Sequence, residues 1–224
     1  MKLHIYFLLL FSIFSFIVPM TVMATEEPKY ELIEKSGKFE LRQYQPMLIA
    51  EVLVDGNMDQ ASGIGFRLIA DYIFGNNITK AGSSQKIKMT APVTIEPKSE
   101  EISMTIPVSL KKNSGRWQVS FVMPSKYTLD TIPLPNNKKI MLRNVPVRKV
   151  AILEFSGFVN ENNTANRAQE LLKWMDKENL ISIGSIELSR YDPPWTLPFL
   201  RRNEIAVGYT KNKAKAKTKT NIEI

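Results

Sequence analysis

The chain has 224 residues, is 44% hydrophobic, carries a formal net charge of +8, and contains no cysteine and one histidine, His4. Disulfides, thiol nucleophiles and a lipobox anchor are excluded by that composition. Zinc sites and Ser-His or Cys-His catalysis would have to rely on His4 alone.

His4 lies in an apolar leader. Lys2 precedes an almost unbroken apolar run from Ile5 to Val18, and Val22-Met23-Ala24 supplies a small-x-small ending. A run of about 14 residues is short for a membrane span, so the pattern predicts a signal peptide over 1–24, cut after Ala24. The expected mature chain, Thr25 to Ile224, then has neither imidazole nor thiol and is expected in the periplasm or outside the cell. Residues 25–210 are expected to form a single domain.

Tyr30–Glu34, a Lys35-Ser36-Gly37 turn and Phe39–Tyr44 predict a hairpin. Met47–Val54 is a mostly apolar strand. Asn57, with Gln60 three residues on, caps a helix that runs to about Phe74 and ends at Gly75-Asn76-Asn77. Met58, Ala61, Gly65, Leu68 and Tyr72 fall at helical spacing along it, and the Gly63-Ile64-Gly65 pair is read as a close-packing device. Three alternating strands follow: Ile87–Ile95, Ile102–Leu110 and Trp117–Met123. Pro92 and Pro107 restrict the first two to edges or bulges.

Ile140–Phe158 repeats an earlier theme. Leu41-Arg42, Ala50 and Gly56 recur as Leu142-Arg143, Ala151 and Gly157, all at an offset of 101. A second helix is predicted over Thr164–Asn179, with strands at Ile183–Arg190 and Glu204–Tyr209. Two related β-rich halves, each with one helix, predict an α+β fold: a distorted β-barrel of two pseudo-repeated halves flanked by two helices. The tail 211–224 holds five lysines against one acidic residue. It is read as disordered, with weak contact to a membrane surface as a sharper alternative. Nucleic acid is a poor fit for an exported chain.

Glu51 and Glu154 stand within apolar strands, where a carboxylate needs a partner or a shifted pKa. Pairing with Arg42 or Arg143 is the expectation. Ser83-Ser84-Gln85-Lys86 matches S-x-x-K without the companion elements of that enzyme class.

The linear motifs carry a family resemblance. Phe39-Glu40-Leu41-Arg42-Gln43-Tyr44, Gly65-Phe66-Arg67-Leu68 through Phe74-Gly75-Asn76, and Ile87-Lys88-Met89-Thr90-Ala91-Pro92-Val93 occur in order. Phe121-Val122-Met123-Pro124, Tyr191-Asp192-Pro193-Pro194-Trp195 and Phe199-Leu200-Arg201-Arg202-Asn203-Glu204 complete it. Together they resemble the SOUL haem-binding family in an exported bacterial form, over about Tyr30 to Tyr209. The resemblance implies a non-enzymatic binder of haem or related tetrapyrroles, with haem as a non-covalent cofactor in an apolar cleft beside the first helix. Segment matching places Phe66, Arg67, Ala70 and Phe74 there, with Trp195, Leu197 and Phe199, and Arg201 and Arg202 toward the propionates. Without His or Cys in the mature chain, burial and propionate pairing are the expected means of binding, unless a Tyr or Met ligates the iron. The alternative is an effector-binding or hydrolase domain in which a buried Glu51 works with Tyr44 or Tyr72.

Overall fold

A computed structural model describes residues 25–98 and 115–212 of the protein. Its strands are β1 (Tyr30–Ser36), β2 (Phe39–Tyr44), β3 (Met47–Asp55), β4 (Asn77–Ile78), β5 (Val93–Lys98) and β6 (Arg116–Val122). They continue with β7 (Leu134–Pro135), β8 (Met141–Val145), β9 (Arg148–Phe155), β10 (Leu180–Arg190) and β11 (Asn203–Lys211). The helices are α1 (Met58–Ile73) and α2 (Glu161–Lys177).

Nine strands form one antiparallel sheet in the order β1-β2-β9-β11-β10-β5-β6-β3-β8, while β4 and β7 pair separately. One transverse row, Phe39-Leu153-Ile205-Leu188-Ile95-Val119-Val52, crosses seven strands and is apolar throughout. Side chains alternate between faces along a strand, so this row marks the face on which the core is built. Both helices pack there: the Trp174 ring of α2 stacks on Phe39 at 4.8 Å, and Gly65 of α1 sits on Val119. A Cβ on Gly65 would lie 2.5 Å from Val119 Cβ, so the close-packing role read for this glycine is met.

The pseudo-repeat appears in the register. Leu41 faces Ala151 across β2 and β9, and Leu142 faces Ala50 across β8 and β3. An offset of 101 exchanges these two pairs, so β2-β3-α1 and β8-β9-α2 are equivalent halves. No described helix covers the opposite face, yet Val150, Ile152 and Gln118 there are nearly inaccessible. The sheet therefore curves on itself as a distorted barrel. Hydrogen bonding does not close it, since β1 and β8 are its two ends.

Several expectations need adjusting. Ile87 and Ala91 are buried and Met89 half-buried, but Thr90 and Pro92 are buried too, and the ladder starts only at Val93, after a cis Ala91–Pro92 peptide. The backbone before it finds other partners: Ile87 N donates to Ile73 O at 2.7 Å, and the Thr90 hydroxyl bonds Val122 O. Ile140–Phe158 repeats the earlier theme as two strands, β8 and β9, with the chain turning at Pro146-Val147 as it does at Gln45-Pro46. The second helix begins three residues early, at Glu161, where the Asn160 side chain accepts from Asn163 N. The strand expected at Ile102–Leu110, the leader and the tail beyond Asn212 lie outside the described residues.

Candidate functional site

A buried charge network fixes one end of the sheet. Arg42 Nη1 donates to both carboxylate oxygens of Glu204 at 3.1 Å, and its Nε donates to Glu40 at 2.6 Å. Glu204 also accepts from the Tyr191 hydroxyl at 2.7 Å and from Arg202 Nη2 at 3.0 Å. Burial is the largest single influence and lowers the pKa of Arg42 and Arg202, but the Glu204 charge, together with Tyr44 and Glu40 for Arg42 and with Tyr191 and Glu27 for Arg202, raises both. Tyr191 is raised by burial and by the same carboxylate. The network clamps both ends of the loop 191–202.

That loop presents Trp195, Leu197, Phe199 and Leu200 to solvent at 83, 56, 69 and 63% exposure. Phe158, in the β9–α2 connection, joins them: Gly157 N donates to Pro198 O at 2.9 Å, and the Arg201 guanidinium lies 5.8 Å from the Phe158 ring centre. Arg201 Nε and Nη2 donate to the loop carbonyls of Thr196 and Pro194. Arg202 is occupied by Glu204 and by Glu27 at 3.1 Å, over the Tyr191 ring. Both arginines expected at the propionates are thus engaged in shaping the loop.

The residues expected on α1 separate along the helix. Phe66 is partly exposed and packs on Phe121, with ring centres 5.4 Å apart. Ala70 is buried, Arg67 is exposed, and Phe74 is exposed at the helix end, ~12 Å further along the axis than Phe66.

Sequence reasoning missed the residue that links the loop to the helix. Arg190, the last residue of β10, is in register with Val93, and Val93 with Phe121, on the helix-covered face. Its Nη1 donates to Ser62 Oγ at 3.3 Å, one helical turn before Phe66. Asp59 stands 3.7 Å from Nη2, an ion-pair distance too long for a hydrogen bond. Both Nε and Nη2 are shielded from solvent without a hydrogen-bond partner, and burial pushes the guanidinium pKa down. Here α1 and α2 also converge, with Met58 N donating to Glu161 at 3.2 Å. In the sequence Arg190 reads only as a polar strand end; the shielding of its Nε and Nη2 follows from helix placement, which no local pattern records.

Of the alternative catalytic set, the Glu51–Tyr72 pair does not assemble, and the Tyr44 hydroxyl is bonded to Arg42 Nη1 at 3.1 Å. Glu51 is held by Arg143, as the pairing expectation had it, with Nη2 to Oε2 at 2.7 Å. Tyr72 lies in the core under the helices and donates to Pro133 O, whereas Glu51 points to the other face. Glu154, expected to be buried, is half exposed beside Arg202. Among the described residues no group of three or more metal-ligating side chains converges, and no helix is long and apolar enough to cross a membrane.

The scaffold defines a class, the duplicated barrel-like α+β domain with its helices on one face of a curved sheet. Within it, a family model described as SOUL heme-binding protein matches residues 25–208, and the chain belongs to that family. Membership supports a haem- or tetrapyrrole-binding role in general terms. No curated protein matches the chain. Solved structures share the fold at low identity. The EcmrR C-terminal domain is 12% identical with a TM-score of 0.56, covering 82% of this chain and 99% of that one. A hydrolase from Listeria innocua is 14% identical with a TM-score of 0.51, covering 77 and 92%. An uncharacterized conserved protein from the same organism is 12% identical with a TM-score of 0.52, covering 84 and 94%.

Proposed function

We propose that the protein is an exported carrier of haem or a related tetrapyrrole, holding its flat apolar body beside Phe66 and the aromatic loop, with a carboxylate turned to Arg190. The observation that carries this reading is Arg190, a half-buried guanidinium whose Nε and Nη2 are shielded from solvent without a hydrogen-bond partner, one helical turn from the partly exposed Phe66 ring. Buried polar groups are normally satisfied, so such a residue calls for an anionic oxygen. Propionates on a tetrapyrrole supply one, and Phe66 with Trp195, Leu197 and Phe199 offers matching apolar surface.

The residues fit the porphyrin ring and its carboxylates rather than its metal. After removal of the expected leader the chain contains no imidazole and no thiol, so this reading rests the binding on the ring and its carboxylates and not on the iron. The signal peptide and an extracytoplasmic site of action belong to the same reading. Titrating the chain from Thr25 onward with haemin and with iron-free protoporphyrin IX tests it. Dissociation constants within about tenfold of each other are expected. A preference for the iron form above about a hundredfold would overturn it and point to a Tyr or Met ligand.

A further inference from the structure

We infer that the face of the sheet away from the helices holds a second binding site, where Glu96 and Gln118 receive the protonated nitrogen of a small amine with a short apolar arm. Moving one residue along each strand from the apolar row that carries the core gives the row on this opposite face, which runs Ala206-Glu187-Glu96-Gln118-Leu53. Continuing the Leu188–Ile95 register by one residue sets Glu187 against Glu96, two like charges across neighbouring strands. Glu187 is compensated, because it accepts from both terminal nitrogens of Arg148. Glu51, on the same face, is held by Arg143. Among these three carboxylates only Glu96 has neither a hydrogen bond nor an ion pair with a described residue.

Gln118 points to a ligand independently. It stands opposite Glu96 in register, a spacing of ~5 Å between side-chain stems, and is 4% exposed. Its amide also finds no hydrogen-bond partner among the described residues, although buried amides are normally satisfied. An uncompensated carboxylate beside a free amide oxygen calls for a donor that carries positive charge.

The neighbours set the chemical class. Burial and the Glu187 charge raise the Glu96 pKa against the opposing charges of Lys98, Arg148 and Arg143, so an arriving cation gains from Glu96. Arg148 and Arg143 are committed to Glu187 and Glu51, which disfavours an anion here. A primary ammonium brings three donors, enough for the carboxylate and the amide together. Leu53, next in the row and 37% exposed, seats the apolar arm. The site is separate from the one proposed for the tetrapyrrole, since Arg190 lies in register with Val93 on the helix-covered face.

The test titrates the Thr25–Ile224 protein with phenethylammonium above neutral pH, by calorimetry and by the magnetic resonance signal of the Gln118 side-chain amide. Saturable binding with a dissociation constant of ~1 mM or tighter is expected, together with a shift of that amide. Phenethyl alcohol, of the same shape without the charge, should not bind. Glu96→Gln should keep its circular dichroism and lose affinity about tenfold or more. Gln118→Met, which removes the amide and leaves the charge, should lose about threefold or more and checks the site through a second residue. Absence of saturable binding, equal affinity for the alcohol, unchanged affinity in either variant, or an unmoved Gln118 amide would each overturn the inference. Haem enters no arm of the experiment, so this inference and the tetrapyrrole reading fail separately.

Discussion

Replacing Arg190 by Met separates ligand binding from stability, because the two should move in opposite directions. In the ligand-free protein Arg190 brings two shielded donors without partners, each costing about 1–3 kcal/mol. Against that stand one 3.3 Å bond to Ser62, worth ~1.5–3 kcal/mol, and an exposed pair with Asp59 worth ~0–1 kcal/mol. Methionine keeps the aliphatic stem in place and removes the desolvated charge. The free protein should gain roughly 1 kcal/mol, read from urea unfolding followed by circular dichroism. Haemin affinity should fall by about 10–150-fold, the loss of a charge-assisted bond worth ~1.5–3 kcal/mol. Haemin dimethyl ester, which lacks the carboxylates, should bind both proteins alike. A variant that is less stable by more than about 1 kcal/mol, with unchanged haemin affinity, would refute the reasoning and make Arg190 a structural residue.

Gly65→Ala should lift α1 from the sheet and cost ~1–3 kcal/mol, and Val119→Ala in the same chain should recover part of it; additive losses in a double-mutant cycle would contradict the close contact. Glu204→Leu strands Arg42, which is 1% exposed, and should destabilise by roughly 3–5 kcal/mol in chemical denaturation; a loss below about 1 kcal/mol would mean that Glu40 suffices alone. Glu96 is raised above the ordinary glutamate value by burial and by Glu187, against the opposing charges of Lys98, Arg148 and Arg143. Its folded form holds the proton more tightly than the unfolded chain, so it costs stability as pH rises from the ordinary glutamate range through the raised value. Glu96→Gln should therefore stabilise the protein at neutral pH and change little below pH ~4; equal unfolding midpoints at pH 7 would count against this.

Much of the scaffold is legible in the sequence because local signals and tertiary demands agree. The Gly37 hairpin, the Asn57 cap with Gln60 and the alternating pattern of Trp117–Met123 all belong to elements that form where their patterns place them. The offset of 101 marks two related halves, and the register adds what the sequence did not show, that the halves exchange the pairs Leu41–Ala151 and Leu142–Ala50. Alternation failed at Ile87–Ala91, since burial of an extended chain needs no ladder. Asn160 was available as a cap signal and was hidden by the polar stretch around it.

The site was less legible. Phe66 and the aromatic loop follow from motif resemblance, and the structure places them at the same end of the helix-covered face. Arg201 and Arg202 carry the charge that a propionate wants, yet their hydrogen bonds are made to loop carbonyls and to acidic neighbours. The shielding of Arg190 Nε and Nη2 exists only once the sheet, α1 and the loop have packed around them, and nothing in Leu188-Ser189-Arg190-Tyr191 announces that.

Tetrapyrrole binding itself is read by titrating the Thr25–Ile224 protein with haemin while following the Soret band and tryptophan fluorescence. A saturable one-to-one shift with matching fluorescence quenching is predicted. A linear, unsaturable change identical to that of haemin in buffer would contradict it.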